Sequence, residues 1–348
     1  MGKKSSILII CLWIMLLLSL FAVGLGHRAA INLKLTRYQR DSLKARYLAL
    51  AGAQKAIAVL KAAPASPNYL NETWSSGIDA DKKNIFKEIK LDENSGDSFS
   101  IVSGTYNNNE YYIQDEESKI NININQSSTP LDKEMLRELF EFAQVNKPDE
   151  LRDLLVRWTS PEPASPPPIP EEKAAFKYSE LKIPEELLPI LEYFYKTEED
   201  PKQKAAETYK KVADIITVFG DGKININTAG EDVLGILINS GAAQVRSSNL
   251  TDLDPAGLLE SVMNVRNDPA RGFFYKTEDL GTKISGQERQ TNVYNQISNI
   301  SNKISVNSNY FRFIAEGSIA GSQTKRRITC VINGSTRTEP KIRYWHEN

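Results

Sequence analysis

Cysteine and histidine are almost missing from this chain: 348 residues hold two of each. Cys11 lies in an apolar run near the start and Cys330 near the far end, so no disulfide is expected. His27 and His346 leave the middle of the chain without an imidazole, which removes Ser-His-Asp and Cys-His arrangements and the usual zinc ligand sets. Net charge is lacking too, since 43 Lys and Arg almost cancel 44 Asp and Glu; nothing advertises a polyanion or an anionic surface as partner. In a chain with that many acids, paired carboxylates do not mark an acid-base site. An enzyme is not expected. With 41% hydrophobic and 25% charged residues, the chain is long enough for two packed domains and an N-terminal extra segment.

Residues 5–26 lack any charge, between Lys3 and Lys4 on one side and His27 and Arg28 on the other. As a helix rising about 1.5 Å per residue, the run reaches about 33 Å and can cross a bilayer. The two lysines favour a cytoplasmic N-terminus, which puts the rest of the chain outside the inner membrane of a bacterial cell. The competing reading is a cleaved signal peptide, but such a peptide has a shorter apolar core and a small-x-small cleavage site. Proline is absent between Gly26 and Pro64, and the residues there are good helix formers. One helix is therefore predicted over residues 6–63. Ile31, Leu35, Tyr38, Ala45, Leu48, Ile57 and Leu60 form a recurrent stripe, with Lys34, Arg37, Arg40, Asp41 and Lys44 elsewhere, so this stalk needs a sheet or neighbouring stalks to cover it.

After Pro64, residues 99–105 and 110–114, joined by the asparagines at 107–109, read as a hairpin. Near the end, residues 310–318, 325–332 and 341–345 alternate as strands, with Arg326, Ile328, Cys330 and Ile332 on one face. Such strands suit a small antiparallel sheet with one face covered by the stalk. The text between them is mostly helical. A helix is expected over 131–144 with Leu131, Met135, Leu139 and Phe142 as its stripe, and another over 149–158. Prolines from 161 to 170 interrupt, helical text resumes at Glu171, and Pro184 and Pro189 are candidate boundaries.

An internal echo stands out. ININI at 120–124 precedes the helix at 131, and ININT at 224–228 precedes a helix at 231–238; a second helix follows each, at 149–158 and 258–266. We read two related strand-to-helix units, in which Asn121, Asn123, Asn225 and Asn227 satisfy local backbone groups through Asx turns while alternate isoleucines pack inward. Thr228 with Glu231 has the spacing of a capping box.

A short basic leader, an apolar span and an amphipathic continuation resemble type IV pilin-like proteins. There a leader is cut before the apolar run, usually after glycine; here KKSSILIICLW places the cut between Ser5 and Ser6. The fifth mature residue would be Ile10, where most pilins carry a glutamate that neutralises the next subunit's N-terminal amine. Pseudopilin K of type II secretion habitually lacks it, as suits a tip subunit with nothing above it. The resemblance to that family extends through DEESKININ at 115–123, the glycine-flanked asparagine segment at 220–229, VRNDPARGFFYKTEDL at 265–280 and the pair Tyr344 and Trp345.

The resemblance implies an α+β pilin-like fold. A long N-terminal helix would lie on a small antiparallel sheet, with a large, mainly helical (SAM-like) domain inserted. Residues 1–5 would be the leader, 6–26 the span, 27–129 the stalk and first strands, 130–303 the insertion and 304–348 the last strands. It also implies a minor pseudopilin at the tip of a periplasmic pseudopilus, helping to initiate assembly and export. Its partners would be the I, J and H types, the major pseudopilin, prepilin peptidase, the inner membrane, and secreted cargo or the outer-membrane channel. No catalytic cofactor follows; calcium does, with no ligands assigned. Asp115, Glu116, Glu117 and Asp221 are hard oxygen donors, but no spacing matches an EF-hand loop, and solvated strand ends and turns explain each one singly. The alternative is a single-pass membrane protein with a periplasmic ligand-binding or helix-hairpin-helix-like DNA-binding domain. The NINTA segment resembles that motif, but no basic cluster accompanies it, so nucleic acid is not expected.

Overall fold

A computed structural model describes the chain except residues 1–2, 65–66, 93–95, 107–108, 125–127, 161–179, 247–253, 269–271, 285–297 and 299. Its first element is one unbroken helix, α1 (Lys3–Ala62), as the absence of proline predicts. The apolar residues from Ile10 to Leu25 are exposed along it, and this is the one helix among the described residues long and apolar enough to cross a membrane. The bare part continues past the span through Ile31, Leu35 and Tyr38. Burial begins at Ala45 and follows Leu48, Ala49, Ala53, Ala56 and Leu60. The predicted stripe is therefore covered by a sheet only in its second half.

That sheet has the order β1 (Ile89–Lys90), β2 (Ser98–Ile101), β10 (Tyr310–Ser318), β11 (Lys325–Asn333), β12 (Lys341–Glu347), and β5 (Ile113–Asp115) also pairs with β10. All the pairings are antiparallel. The long central β10 takes β2 along its second half, with Ala315 opposite Ile101, and β5 along its first, with Phe313 opposite Ile113. The expected hairpin survives only at its tip, where β3 (Gly104–Tyr106) pairs with β4 (Asn109–Tyr111). Each of its arms breaks in two, because β2 and β5 leave one another for β10.

Along β10 the buried side chains shrink from Phe311 and Phe313 to Ala315 and Gly317. The taper admits the stalk: a Cβ on Gly317 would lie 2.0 Å from the Ala45 carbonyl oxygen. Alanines on the helix and small residues on the strand thus bring backbone close to backbone. Trp74, Phe86, Phe311, Phe313, Cys330 and Ile332 fill the wider end, each large apolar side chain contributing about 1.5–3 kcal/mol. Both cysteines are free, Cys330 buried and Cys11 exposed. The last strand is tied to the stalk by Arg46, whose Nε and Nη2 donate to Glu347 at 2.6 and 3.2 Å; these bonds hold the Glu347 carboxyl down at about 2.

Between β5 and β10 the chain is mostly helical. After α2 (Thr73–Ser76), which lies before the sheet, the helices are α3 (Pro130–Phe142), α4 (Pro148–Thr159), α5 (Leu187–Phe194), α6 (Pro201–Val212), α7 (Glu231–Arg246), α8 (Pro255–Asn267) and α9 (Asp279–Ile284). The buried stripe of α3 is Leu131, Met135, Leu136, Leu139 and Phe140, not Phe142, which is exposed. That helix opens on a capping box, with Thr129 and Asp132 bonding reciprocally. Pro189 proves not to be a boundary. It sits in the first turn of α5, where its missing N–H would have had no intrahelical acceptor. The prolines at 161–170 and the start at Glu171 lie outside the described residues.

The internal echo is structural as well. Ile120 and Asn121 form β6, which pairs in parallel with β7 (Ile216–Thr217). Ile224 and Asn225 form β8, which pairs in parallel with β9 (Ile304–Ser305). Each unit opens on its asparagine segment, runs through helices and closes on a strand beside its own beginning. Ile120, Ile122, Ile124, Ile224 and Ile226 are all buried in one core with the helices, as the alternation predicts.

Candidate functional site

In both units the two asparagines divide the same labour. The first makes an Asx turn: Asn121 Oδ1 accepts from the Asn123 N–H at 2.9 Å, and Asn225 Oδ1 from the Asn227 N–H at 3.0 Å. The second clasps a distant backbone by both its donor and its acceptor. Asn123 Nδ2 donates to the Leu181 carbonyl at 2.8 Å while its Oδ1 accepts from the Leu181 N–H at 2.7 Å. Asn227 does the same with Phe274, at 2.9 and 2.8 Å. Spacing foretold the turns, but the clasps were not legible, since their partners lie 58 and 47 residues away. Thr228 has another use than expected. Its hydroxyl donates to Asp115 Oδ2 at 2.6 Å, and α7 begins at Glu231, two residues later than a helix capped by Thr228 would.

Asp115, Glu116 and Glu117 are not solvated. All three are buried where β5 meets the inserted units. Asp115 Oδ2 accepts from Thr228, from Asn225 Nδ2 at 3.1 Å and from the Ser308 hydroxyl, while Oδ1 accepts from the Glu117 N–H at 2.8 Å. Burial raises its pKa, and the bonds from Ser308, Thr228, Glu117 and Asn225 oppose that rise. Glu116 lies 2.9 Å from Arg312 Nε and 3.4 Å from Lys119 Nζ, and accepts from the Thr217 hydroxyl. Burial would lift its pKa, but Lys119 and Arg312 outweigh burial and lower it.

Glu117 has no such cation among the described residues. Its Oε2 accepts from the Asn309 N–H at 2.6 Å, while Oε1 is buried beside the turn Gly220-Asp221-Gly222, with at most the Asp221 backbone N–H to meet it. Burial, then Asp115 and Asp221, push it up from 4.5 to about 8. Gly220, at φ +97°, sits in a backbone conformation that side chains disfavour, and a Cβ there would press on Glu117 Cγ at 3.0 Å.

These three residues staple the sheet to both units. Glu116 reaches β7 and β10, Asp115 reaches β8 and the connection after β9, and Glu117 reaches that connection and the 220 turn. A second strap, unseen in the sequence, starts from the stalk side. The buried Asn68 donates its N–H to the Val306 carbonyl at 2.9 Å, and its Oδ1 accepts from the Ser308 N–H at 2.8 Å. Next to it, Tyr69 stacks on Phe273 at 3.9 Å. A cleft of about 500 Å³ opens beside the staple, lined in part by Gln114, Asp115, Lys119, Asp214, Thr228 and Asp232. The position of Asp115 was in fact readable: two residues after Ile113 on a strand, it shares the inward face.

Calcium needs six to eight oxygens. Among the described residues no group of three or more His, Cys, Asp or Glu could hold a metal ion, and Asp115 and Glu116 have spent their oxygens on hydroxyls, amides and cations. No calcium ligand is assigned among them. The remaining sequence-derived positions lie at the other end of the molecule. Ser5 and Ser6 fall in the first turns of α1, and Ile10 is 55% exposed on it.

No family model matches this sequence, and no curated protein does. Among solved structures, a chain of the crystal structure of the GspK-GspI-GspJ complex from the enterotoxigenic Escherichia coli type 2 secretion system shares its fold. The TM-score is 0.61 at 13% identity, covering 90% of this chain and 99% of that one. At that identity the likeness is one of fold: a long N-terminal helix on an antiparallel sheet, with helices set into the sheet's connectivity.

Proposed function

We propose that the chain is a minor pseudopilin of the K type in a type II secretion system. It would be anchored in the bacterial inner membrane by the first half of α1, with its N-terminus cytoplasmic and its body in the periplasm. The observation that carries this reading is α1 itself, one helix from Lys3 to Ala62, bare and apolar in its first half and packed on a pilin-like sheet in its second. A helix without a break at the lipid boundary turns the body into a head on a rigid rod, which is what a filament subunit needs. The similar protein of known structure belongs to a GspK-GspI-GspJ complex, and we assign this chain partners of the same kind, with the H type and the major pseudopilin beneath them.

Two features favour the tip. Ile10 stands where a carboxylate would otherwise be buried in lipid for the benefit of a subunit above. The helical units between β5 and β10 are larger than the sheet they interrupt and would collide with neighbours in a close-packed helical fibre, but not at its end. The role is assembly, not catalysis: it would help start the fibre and meet cargo or the outer-membrane channel. N-terminal sequencing of the mature protein from membranes tests this. A start at Ser6, after removal of a five-residue leader by prepilin peptidase, is expected; a start near residue 30 would identify an exported soluble protein and refute the proposal.

A further inference from the structure

The cleft beside the staple, about 500 Å³, lies within the range of about 300–1,000 Å³ in which ligand sites fall, and both parts of the head build its walls. Ser75 of α2, Tyr111, Ile113 and Gln114 stand on the sheet side, Asp214 and Asp232 on the side of the inserted units. A second hollow of about 280 Å³, with Glu110 in its lining, adjoins it at Leu70 and Tyr111, which belong to both. Two hollows that share a wall suit an extended chain better than one compact molecule.

The charge of the cleft is one-sided. Asp115, Asp214 and Asp232 face a single base, Lys119, and the buried Glu116 holds that ammonium at 3.4 Å. Asp115 has committed its oxygens to Thr228, Asn225, Ser308 and the Glu117 N–H, so it adds negative field but no free acceptor. Asp214 and Asp232 differ from it: both are exposed, and neither makes an ion pair among the described residues. Ser75 is an independent sign of a missing occupant. It is fully buried, its N–H donates to the Glu72 carbonyl at 3.0 Å and its carbonyl accepts from the Tyr112 N–H at 2.9 Å, but its hydroxyl has no partner among the described residues. A buried hydroxyl left bare is costly, and one at the back of a cleft finds its partner in what fills the cleft. Leu70, Ile113, Ile215 and Val233 add apolar wall, on which the stem of a Lys or Arg can lie while its charge reaches an acid.

We infer that this cleft binds an extended, basic segment of another protein, with a Lys or Arg stem along its apolar wall and the cation at Asp214 and Asp232. The inference goes beyond the filament role and does not depend on it. The test uses the full chain in mild detergent, titrated calorimetrically with acetyl-Ala-Lys-Ala-Lys-Ala-amide, its Arg and Gln counterparts, spermidine and Mg²⁺. The Lys and Arg peptides should bind about tenfold more tightly than the Gln peptide, and more weakly in 0.5 M salt. Asp214→Asn with Asp232→Asn should cut their affinity about fivefold and leave the melting temperature of the free protein unchanged, since these carboxylates pair with nothing. Ser75→Ala should weaken binding about threefold without destabilising the free protein, because the hydroxyl it removes has no partner there; a purely structural serine would not separate the two readouts. Equal affinity for the Gln peptide, no binding of any peptide, or basic-peptide binding that survives the double Asn variant overturns the inference. Spermidine or Mg²⁺ bound as tightly as the peptides overturns it too, since the acids would then only gather counter-ions. None of these outcomes bears on the Ser6 start by which the filament role is judged.

Discussion

Glu117 is a group whose ionisation should make the stability of the head depend on pH near neutrality. In the unfolded chain its carboxyl ionises at 4.5, whereas in the fold burial and the charges of Asp115 and Asp221 hold it protonated up to about 8. Between those values the unfolded state has released a proton that the folded state keeps. Its contribution is therefore fully present below pH 4.5, declines as pH rises, and levels off above about 8. Each pH unit is worth about 1.4 kcal/mol, so at pH 7 the loss is on the order of 3 kcal/mol. Asp115, also raised by burial, acts in the same direction, and Glu116 does not cancel it: its pKa is lowered, so its contribution is lost only below the ordinary carboxylate range. Glu117→Gln keeps an acceptor for the Asn309 N–H and cannot ionise. Detergent-solubilised wild type and variant should be melted from pH 4.5 to 8.5, following tryptophan fluorescence, for which the buried Trp74 and Trp158 are suited. The two should coincide near pH 4.5, and the variant should be several degrees more stable at pH 7 and above. A gap that does not widen with pH, or a variant that is less stable at pH 7.5, would show that Glu117 is not held protonated.

Asp115→Ala strips an acceptor from Thr228, Ser308, Asn225 and the Glu117 N–H; buried donors left bare cost about 1–3 kcal/mol each, and even after relief of the buried acid a loss of about 3 kcal/mol is expected in urea titrations. Asn227→Ala should cost more than Asn123→Ala, about 2–4 against 1–2 kcal/mol, because the Phe274 clasp is fully buried and the Leu181 clasp only partly so; equal losses in the same titrations would contradict the burial argument. Gly317→Val should lift the stalk off β10, since its Cβ would overlap the Ala45 carbonyl. A loss of about 1–3 kcal/mol or more, with new proteolytic cleavage between residues 45 and 60, is the expected sign.

Periodicity carries as far as one element can specify itself. The stalk was legible because nothing between Gly26 and Pro64 can break a helix, and β10, β11 and β12 because apolar and polar residues alternate along them. The echo of ININ was legible because a sequence repeat needs no partner to be seen. What periodicity does not carry is pairing. The split of the expected hairpin depends on β10 lying some 200 residues away and outcompeting the local partner. The clasps of Asn123 and Asn227 depend on loops at Leu181 and Phe274, and the strap at Asn68 on Ser308 and Val306. A run of three acids also reads as solvated unless the strand face is counted from Ile113, and even that count does not reveal that Arg312 and Lys119 come to meet Glu116.

The junction is built from polar, directional ties where an apolar contact would have been cheaper. Buried charges are costly even when paired, yet three consecutive acids close the seam between sheet and insertion, and two of them keep their pKa raised. An apolar interface tolerates sliding. Hydrogen bonds from Asp115 to Thr228, Asn225 and Ser308 hold at one geometry only, and Glu116 fixes β7 against β10 at the same time. For a head standing on a rod, that difference matters. The orientation of the helical units relative to α1 is set through the sheet and by the staple from the sheet to the units. The cleft beside Asp115 lies on that line, and Asp115, Lys119 and Thr228 of its lining belong to the ties that hold the two parts together.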